Sequence, residues 1–199
     1  MRKVTLVESL TLDGVMQARG GKDEDRRGGF ERGGWAAPYV DEVLLKEMAK
    51  DMGHVELLFG RRTYEQFHAF WPNQPEPNPF TEVLNETPKY VASRTLAEPL
   101  PWVNSTLLSG EAVDTVRELK GQPGKDLVVL GSGDLVRSLM AHDLVDEYRL
   151  LIHPLVLGTG RRMFADPGPA IDLRLVQTVT TTTGVVIASY RPETAVPAS

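Results

Sequence analysis

The feature that most constrains the fold is a short apolar run that ends in glycine and is followed at once by helical spacing. Residues 127–130 (LVVL) are too short for a helix and have the length of a buried strand. The sequence Gly-Ser-Gly ends this run, and apolar residues then recur at helical intervals. Residues 55–59 end in a similar way at Gly60. Strands that alternate with helices predict an α/β domain with a mostly parallel sheet.

The rest of the chain continues this alternation. Further strands are predicted over residues 4–10, 89–93, 102–108, 147–151, 173–182 and 185–191, the last two forming an antiparallel hairpin. Helices are predicted over residues 38–52, 63–70 and 112–120, and after the Gly-Ser-Gly turn. The proline-rich residues 71–79 predict a loop after which strand-like segments resume directly. We expect one domain over residues 1–192, with helices on both faces of a twisted sheet, and a flexible tail at 193–199.

Composition excludes several classes of function. The net charge of −5 and the lack of a basic stripe argue against a nucleic-acid partner. The chain has no cysteine, which excludes disulfides and thiolate chemistry, and its 4 histidines are scattered, so we expect no metal site. No apolar run approaches the roughly 20 residues of a membrane span, and residues 1–10 do not resemble a signal peptide. We therefore expect a cytoplasmic protein without a membrane partner.

One long segment, residues 19–34, is rich in Gly, Arg, Asp and Glu. This composition predicts a mobile, solvated loop that cannot pack a core. A loop of this length inside a compact domain is more often functional than accidental, and a lid over a site is one such function.

Both glycine turns have the parts of a phosphate site. The first turn of a helix presents N–H groups without partners at the positive end of its dipole, which suits an anion. The Gly-Ser-Gly turn is equally compatible with a tight turn in which Ser132 or Asp134 is the N-cap. The other turn carries Arg61 and Arg62, whose guanidiniums match phosphate oxygens. If the two strands are neighbours, both turns face one crevice, where a dinucleotide pyrophosphate would bridge them.

Several segments together resemble the dihydrofolate-reductase-like superfamily. They are SLTLDG (9–14), GRRTYEQF (60–67), KYVASRTL (89–96), GSGDL (131–135) and LVDEYRLLIHPLVLGTGRRMF (144–164). More narrowly, the chain is similar to the reductase domain of the bifunctional riboflavin-biosynthesis deaminase–reductase and its stand-alone bacterial relatives. No H-x-E…P-C-x-x-C signature occurs in this sequence, so we expect it to lack the deaminase half.

The resemblance implies a three-layer α/β/α fold, an NADPH cofactor and a homodimer. It also implies reduction of a small planar or ribosyl-pyrimidine substrate, similar to 5-amino-6-(5-phosphoribosylamino)uracil. Two alternatives stay open: pterin reduction of the dihydrofolate reductase type, and an NADPH-binding sensor or assembly protein without turnover.

The resemblance also implies site residues. The phosphates and the nicotinamide side of NADPH would lie against Gly60, Arg61, Arg62, Thr63, Gly131, Ser132, Gly133, Asp134 and Leu135. The adenosine 2′-phosphate would lie at Ser93, Arg94 and Thr95, and the loop that closes over the nicotinamide would contain Asp13 and Gly14.

Catalytic and substrate residues are less defined. Dihydrofolate reductases carry a carboxylate early in the first helix, where this chain has Asp41 and Glu42. Both also suit the positive end of a helix, and that structural role is the more common one. Arg161, in the turn GTGRR, is positioned either to contact a substrate phosphate or only to shape the turn.

Overall fold

An eight-stranded sheet forms the centre of the computed structural model, which describes residues 1–75, 78–164 and 167–193. The strands are β1 (Val4–Thr11), β2 (Glu56–Gly60), β3 (Lys89–Ser93), β4 (Ser105–Ser109), β5 (Leu127–Leu130), β6 (Glu147–His153), β7 (Leu173–Thr180) and β8 (Val186–Pro192). The α-helices are α1 (Glu42–Ala49), α2 (Arg61–Phe70), α3 (Pro79–Glu86), α4 (Ala112–Gly121) and α5 (Gly133–Met140).

The strand order is β4-β3-β2-β5-β1-β6-β8-β7, and the first six strands of that order are parallel. Strand β8 runs antiparallel to both β6 and β7, so the predicted C-terminal hairpin is confirmed. Strand β7 is the outer strand and leaves Leu175 and Val176 exposed. The homodimer implied by the resemblance stays a prediction.

Apolar side chains on the two faces of the sheet form separate cores, because successive strand residues point in opposite directions. On one face, Leu6 and Val129 pack with Val116 of α4 and Leu139 of α5. On the other face, the helices contribute Leu44 of α1, Tyr64 of α2 and Leu84 of α3 to the core. The sheet residues on this face include Leu57, Phe59, Val128 and Leu151. The predicted arrangement of helices on both faces is confirmed.

Helix α3 corrects the prediction that strands resume directly after residue 79. Asn78 is its N-cap, and the side-chain oxygen accepts hydrogen bonds from the N–H groups of Phe80 and Thr81. Pro79 stands at the first helical position, where a missing N–H costs nothing. The prolines before residue 78 predicted a loop. The Asn78-Pro79 pair starts a helix, but in the sequence it was assigned to that loop.

Two other boundaries differ from prediction. The fourth strand begins at Ser105 rather than at residue 102, and the Trp102 ring is buried before the strand starts, in the core with Tyr64 and Leu84. The first helix is shorter than residues 38–52: it starts at Glu42 and ends at Ala49.

Residues 19–34 form a loop as predicted, but the expectation that they cannot pack a core is wrong. The Phe30 ring is only 3 % exposed and packs with Val15, Ala18 and Trp35. Gln17, which is also buried, donates hydrogen bonds from Nε2 to two carbonyl oxygens of the loop, at 3.1 and 2.9 Å. One buried aromatic ring and one buried amide thus hold a segment whose composition is otherwise that of a solvated loop.

No helix among the described residues is both long enough and apolar enough to cross a membrane. In these same parts of the chain, His, Asp and Glu side chains do not gather in threes as metal ligands.

Candidate functional site

The two glycine turns lie side by side and are hydrogen-bonded to each other. Strand β2 pairs with β5 in parallel, so the carboxyl ends of both strands reach the same edge of the sheet. The Gly60 N–H donates to Ser132 Oγ at 3.0 Å, and the Ser132 N–H donates to Thr63 Oγ1 at 3.1 Å. The strands are therefore neighbours as expected, and a reciprocal pair of hydrogen bonds fixes one turn against the other.

The Gly-Ser-Gly turn has an unusual backbone. Ser132 has φ +61°, a left-handed conformation that costs free energy in a non-glycine residue and persists only where the surroundings impose it. Ser132 is the N-cap of α5, but its hydroxyl accepts from Gly60 instead of capping the helix. The first-turn N–H groups of α5, which have no intrahelical partner, begin at Gly133. This geometry suits an anion.

Gly133 leaves room for the end of the flexible Met16 side chain. A Cβ atom there would overlap the Met16 side chain and come within 2.7 Å of its sulfur. Met16 comes from the segment after β1, so the glycine lets that segment close onto the start of α5.

A cleft of about 870 Å³ opens at this edge of the sheet, a volume typical of a ligand site. The predicted residues that line it are Gly60, Arg61, Arg62, Thr63, Ser93, Arg94, Thr95, Gly131, Ser132, Gly133, Asp134, Leu135 and Arg161. Residues far apart in the sequence are thus brought to one surface, with β3, β2 and β5 supplying its floor.

Four guanidiniums converge on the Asp134 carboxylate in this cleft. Arg161 lies at 2.5 Å and Arg62 at 3.4 Å, Arg27 is at 3.9 Å, and Arg137 also pairs with it. The Asp134 side chain is 60 % exposed, so these are weak, solvent-screened ion pairs. Arg27 also pairs with Asp25, so the cluster has two carboxylates among four guanidiniums and keeps an excess of positive charge beside the first turn of α5.

The turn after β3 is held by its own side chains. Ser93 Oγ accepts hydrogen bonds from the N–H groups of Thr95 and Leu96, both at 3.1 Å. This turn directs Arg94 into the cleft, where its guanidinium pairs with Glu111 at 3.0 Å and is largely exposed.

Asp13 and Gly14 are not among the lining residues. The Asp13 carboxylate accepts hydrogen bonds from Thr11 Oγ1 and from the N–H groups of Leu157 and Gly158. These bonds, that from Thr11 foremost, lower the pKa of Asp13 to about 2. Asp13 therefore ties the end of β1 to the segment after β6, and Gly14 turns the chain with φ +77°.

Asp41 and Glu42 also lie away from the lining of the cleft. Asp41 is the N-cap of α1: its Oδ1 accepts from the Leu44 N–H at 2.8 Å. Its Oδ2 accepts from the N–H and the hydroxyl of Thr182, and the Thr182 hydroxyl bond is the main reason that the pKa of Asp41 is lowered. Glu42 is exposed in the first turn of the helix. These contacts give Asp41 the structural role that the sequence also allowed, at the positive end of a helix.

Sequence reasoning missed one buried acid that lines the cleft. Glu8, on β1, is 3 % exposed, and burial is the main reason that its pKa is raised to about 7. The signal was present, since a glutamate interrupts a strand whose neighbours are apolar or small (VTLVESL). Gln17, Arg19 and Gln66 also line the cleft without having been predicted.

Solved structures with the same architecture define the class of fold. The chain aligns with a Shewanella sp. PV-4 protein provisionally assigned to riboflavin biosynthesis, with a TM-score of 0.67 and 19 % identity, over 96 % of this chain and 99 % of the other. It aligns with a pyrimidine reductase-like protein of Corynebacterium diphtheriae with a TM-score of 0.66 and 11 % identity, over 97 % and 92 %. For Enterococcus faecalis dihydrofolate reductase, complexed with NADP(H) and RAB-propyl, the TM-score is 0.61 at 16 % identity, over 96 % and 97 %. The fold is therefore dihydrofolate-reductase-like.

The family follows from the sequence itself. The model of the RibD C-terminal domain matches residues 2–187, and the chain belongs to that family. The uncharacterized protein YyaP of Bacillus subtilis (strain 168) is 30 % identical over 95 % of this chain and 94 % of its own length.

Proposed function

We propose that this protein is an NADPH-dependent reductase that transfers hydride to a small planar or ribosyl-pyrimidine substrate, similar to 5-amino-6-(5-phosphoribosylamino)uracil. One observation carries the proposal: two interlocked glycine turns lie beneath an arginine-rich cleft at the carboxyl edge of parallel strands. Membership of the RibD C-terminal domain family and the likeness to an NADP(H)-complexed reductase support it.

The residues of the cleft fit such a cofactor. Arg61 and Arg62 open α2 beside the start of α5, so guanidiniums and unpaired backbone N–H groups face the same space. Arg94 is a cation at the end of β3, where an extra phosphate on the ribose would need one. The surface pairs that these arginines make with Glu65 and Glu111 are weak enough for a phosphate to replace them.

Bound NADPH would supply the hydride, and the chain's own residues would position the reactants and exclude water. The turns at Gly60 and Ser132 would hold the phosphates. Residues 24–27 reach across the cleft, because Gln66 Nε2 donates to the Glu24 carbonyl oxygen at 2.6 Å and Arg27 faces Asp134. These contacts support a role for the loop as a cover of the cleft.

A titration of intrinsic NADPH fluorescence with the purified chain tests the cofactor. We expect Arg94→Ala to weaken NADPH binding by about tenfold, the effect of one charge-assisted contact, and to leave NADH binding unchanged. Arg61→Ala should weaken the binding of both nucleotides. Arg117→Ala is the matched control, because that arginine forms a similar exposed pair, with Asp114, outside the cleft. Equal affinity of all three variants for NADPH would refute the cofactor assignment.

Turnover separates the proposed reaction from its alternatives. Loss of absorbance at the reduced nicotinamide band is measured with the ribosylaminopyrimidine phosphate and with dihydrofolate. Oxidation with the first compound supports the proposal, and oxidation with dihydrofolate alone indicates pterin reduction. NADPH binding without oxidation by either one favours a sensor or assembly protein.

A further inference from the structure

The buried glutamate on β1, Glu8, lies where the Gly-Ser-Gly turn meets the segment that follows β1. The last β1–β5 pair is Val7 with Leu130, and the Gly131 N–H donates to the Val7 carbonyl oxygen at 3.3 Å. Glu8 is the next residue, so it lies directly beside the Gly-Ser-Gly turn. Its side chain lines the cleft between that turn and the segment that follows β1.

Glu8 differs from every other carboxyl group lining the cleft. Each of those others pairs with a guanidinium or, in one case, accepts from two backbone N–H groups. The pairs are Asp25 with Arg27, Glu65 with Arg61, Glu111 with Arg94, Asp134 with Arg161, and Glu24 with the N–H groups of Gly20 and Gly21. Within the described parts of the chain, the carboxyl of Glu8 has no ion pair and accepts one hydrogen bond, from the Ser9 N–H at 3.1 Å.

The electrostatics at Glu8 are those of an acid that holds its proton near neutral pH. Burial raises its pKa to about 7; the nearby charge of Arg19 lowers the pKa and that of Glu24 raises it. Charged side chains on the other elements line the same cleft. They are Asp25, Arg26 and Arg27 in the loop, Arg61, Arg62 and Glu65 on α2, Arg94 and Glu111 after β3 and β4, Asp134 on α5, and Arg161. The hydrogen bond from the Ser9 N–H also lowers the pKa of Glu8, but burial outweighs it, and a buried carboxylate without an ion pair is costly to the fold.

We propose that Glu8 is the catalytic acid of the reduction. This role rests on the proposed function. The hydride from NADPH forms a new C–H bond at the carbon of an imine or carbonyl group, and the π electrons move to the nitrogen or oxygen. Glu8 transfers its proton to that atom, forming N–H or O–H, while NADP⁺ and the Glu8 carboxylate remain. The carboxylate then regains a proton from water. A substrate with a polar double bond is thus the class that this site accepts.

The experiment compares the wild-type chain with Glu8→Gln, Glu8→Asp and the control Glu147→Gln. Glu147 is another strand glutamate, half-buried rather than buried, and it lies at the amino end of the neighbouring strand β6, outside the cleft. Measured quantities are NADPH affinity by fluorescence and the rate of NADPH oxidation with the substrate found above, from pH 5 to 9. We expect Glu8→Gln to lower kcat by about 100-fold or more, as loss of a general acid does, with NADPH affinity unchanged. The fall in kcat above pH 7 should disappear in Glu8→Gln, and Glu8→Asp should recover part of the rate.

Several results would overturn the role. They are a Glu8→Gln rate within threefold of wild type, a higher KM with unchanged kcat, and a loss explained by NADPH affinity alone. A ¹³C NMR titration of the labelled glutamate carboxyls, assigned with Glu8→Gln, needs no substrate: titration near 7 supports the role, and titration near 4.5 overturns it. A wild-type chain that binds NADPH but reduces nothing refutes the proposed reductase function and, with it, this role. Wild-type turnover that Glu8→Gln retains refutes the role alone.

Discussion

Charged side chains lie in opposite environments on the two walls of the cleft. In the wall of glycine turns, charged side chains are exposed and paired, and the backbone itself is shaped to meet an anion. In the wall formed by β1 and the segment after it, side chains are buried. Glu8 lines the cleft on this side and has a pKa of about 7, whereas Asp13, five positions further on and outside the lining, has a pKa of about 2. Sequence alone treats these residues alike. The difference arises because burial raises the pKa of Glu8, whereas the hydrogen bond from Thr11 is the main cause that lowers the pKa of Asp13.

The largest effect expected is at Gly160, on the β1 side. With φ +112°, an added Cβ would lie 2.7 Å from the Phe30 ring and 2.8 Å from Val15, both buried. Gly160→Ala should lower the free energy of unfolding by about 4 kcal/mol, from backbone strain and overpacking together. The matched change Gly131→Ala should cost about 1 kcal/mol, because a Cβ there meets only Thr63, at 3.6 Å. The free energies of unfolding are measured by urea denaturation. Equal losses in the two variants would show that both walls are packed alike.

The next prediction is a pH dependence of opposite sign in the two carboxyl groups. The folded pKa of Glu8 lies above its ordinary value of 4.5, so the folded state binds the extra proton and its stability falls as pH rises from 4.5 to about 7. At about 1.4 kcal/mol per pH unit, Glu8→Gln should be more stable than wild type by up to about 3 kcal/mol at pH 8, and no more stable at pH 4.5. Unfolding by denaturant at the two pH values measures it.

Asp13→Asn should act in the other direction. The pKa of Asp13 is depressed from 3.8 to about 2, so its ionised form stabilises the fold above pH 3.8, and this contribution is lost as pH falls through about 2. The variant should melt below wild type at pH 7, with the difference shrinking as pH falls from 3.8 towards 2. If Glu8→Gln and Asp13→Asn shifted the melting temperature in the same direction at pH 8, the contrast between these carboxyls would be wrong.

A smaller effect is expected where the two turns are joined. Thr63→Val keeps the shape of the side chain but removes the acceptor of the Ser132 N–H. We expect it to lower stability by about 1–2 kcal/mol and to weaken NADPH binding by about tenfold, since the left-handed conformation of Ser132 loses a support. In a double-mutant cycle with Ser132→Ala, the two changes should not be additive. Additive effects would mean that the two hydrogen bonds act independently.

The smallest effect is expected at Asp41. Asp41→Ala removes the cap of α1 and the contacts with the turn between β7 and β8, and should lower the melting temperature slightly. Because Asp41 lies outside the cleft, kcat should stay within twofold of wild type. A large loss of turnover with intact stability would return Asp41 to the list of catalytic candidates.

Much of the fold could be predicted because its signals are local. Apolar runs such as residues 127–130 and the glycines that end them identify strands and turns, and the spacing of motifs identified the family. Helix α3 and the packing of Phe30 could not be predicted in the same way, because prolines and charges around them carry stronger local signals than the one cap or ring that decides the structure.

The sequence by itself determined the alternation of strands and helices, the pair of glycine turns and the arginines that accompany them. Only the tertiary structure placed β2 against β5, gathered Arg27, Arg62, Arg137 and Arg161 around Asp134, and separated Asp41 from the cleft. It also set the ionisation of Glu8, since a carboxyl group's pKa depends on the burial and partners that distant segments supply. Local patterns fix backbone conformation, whereas the chemistry of a side chain is fixed by neighbours that the chain brings together only when it folds.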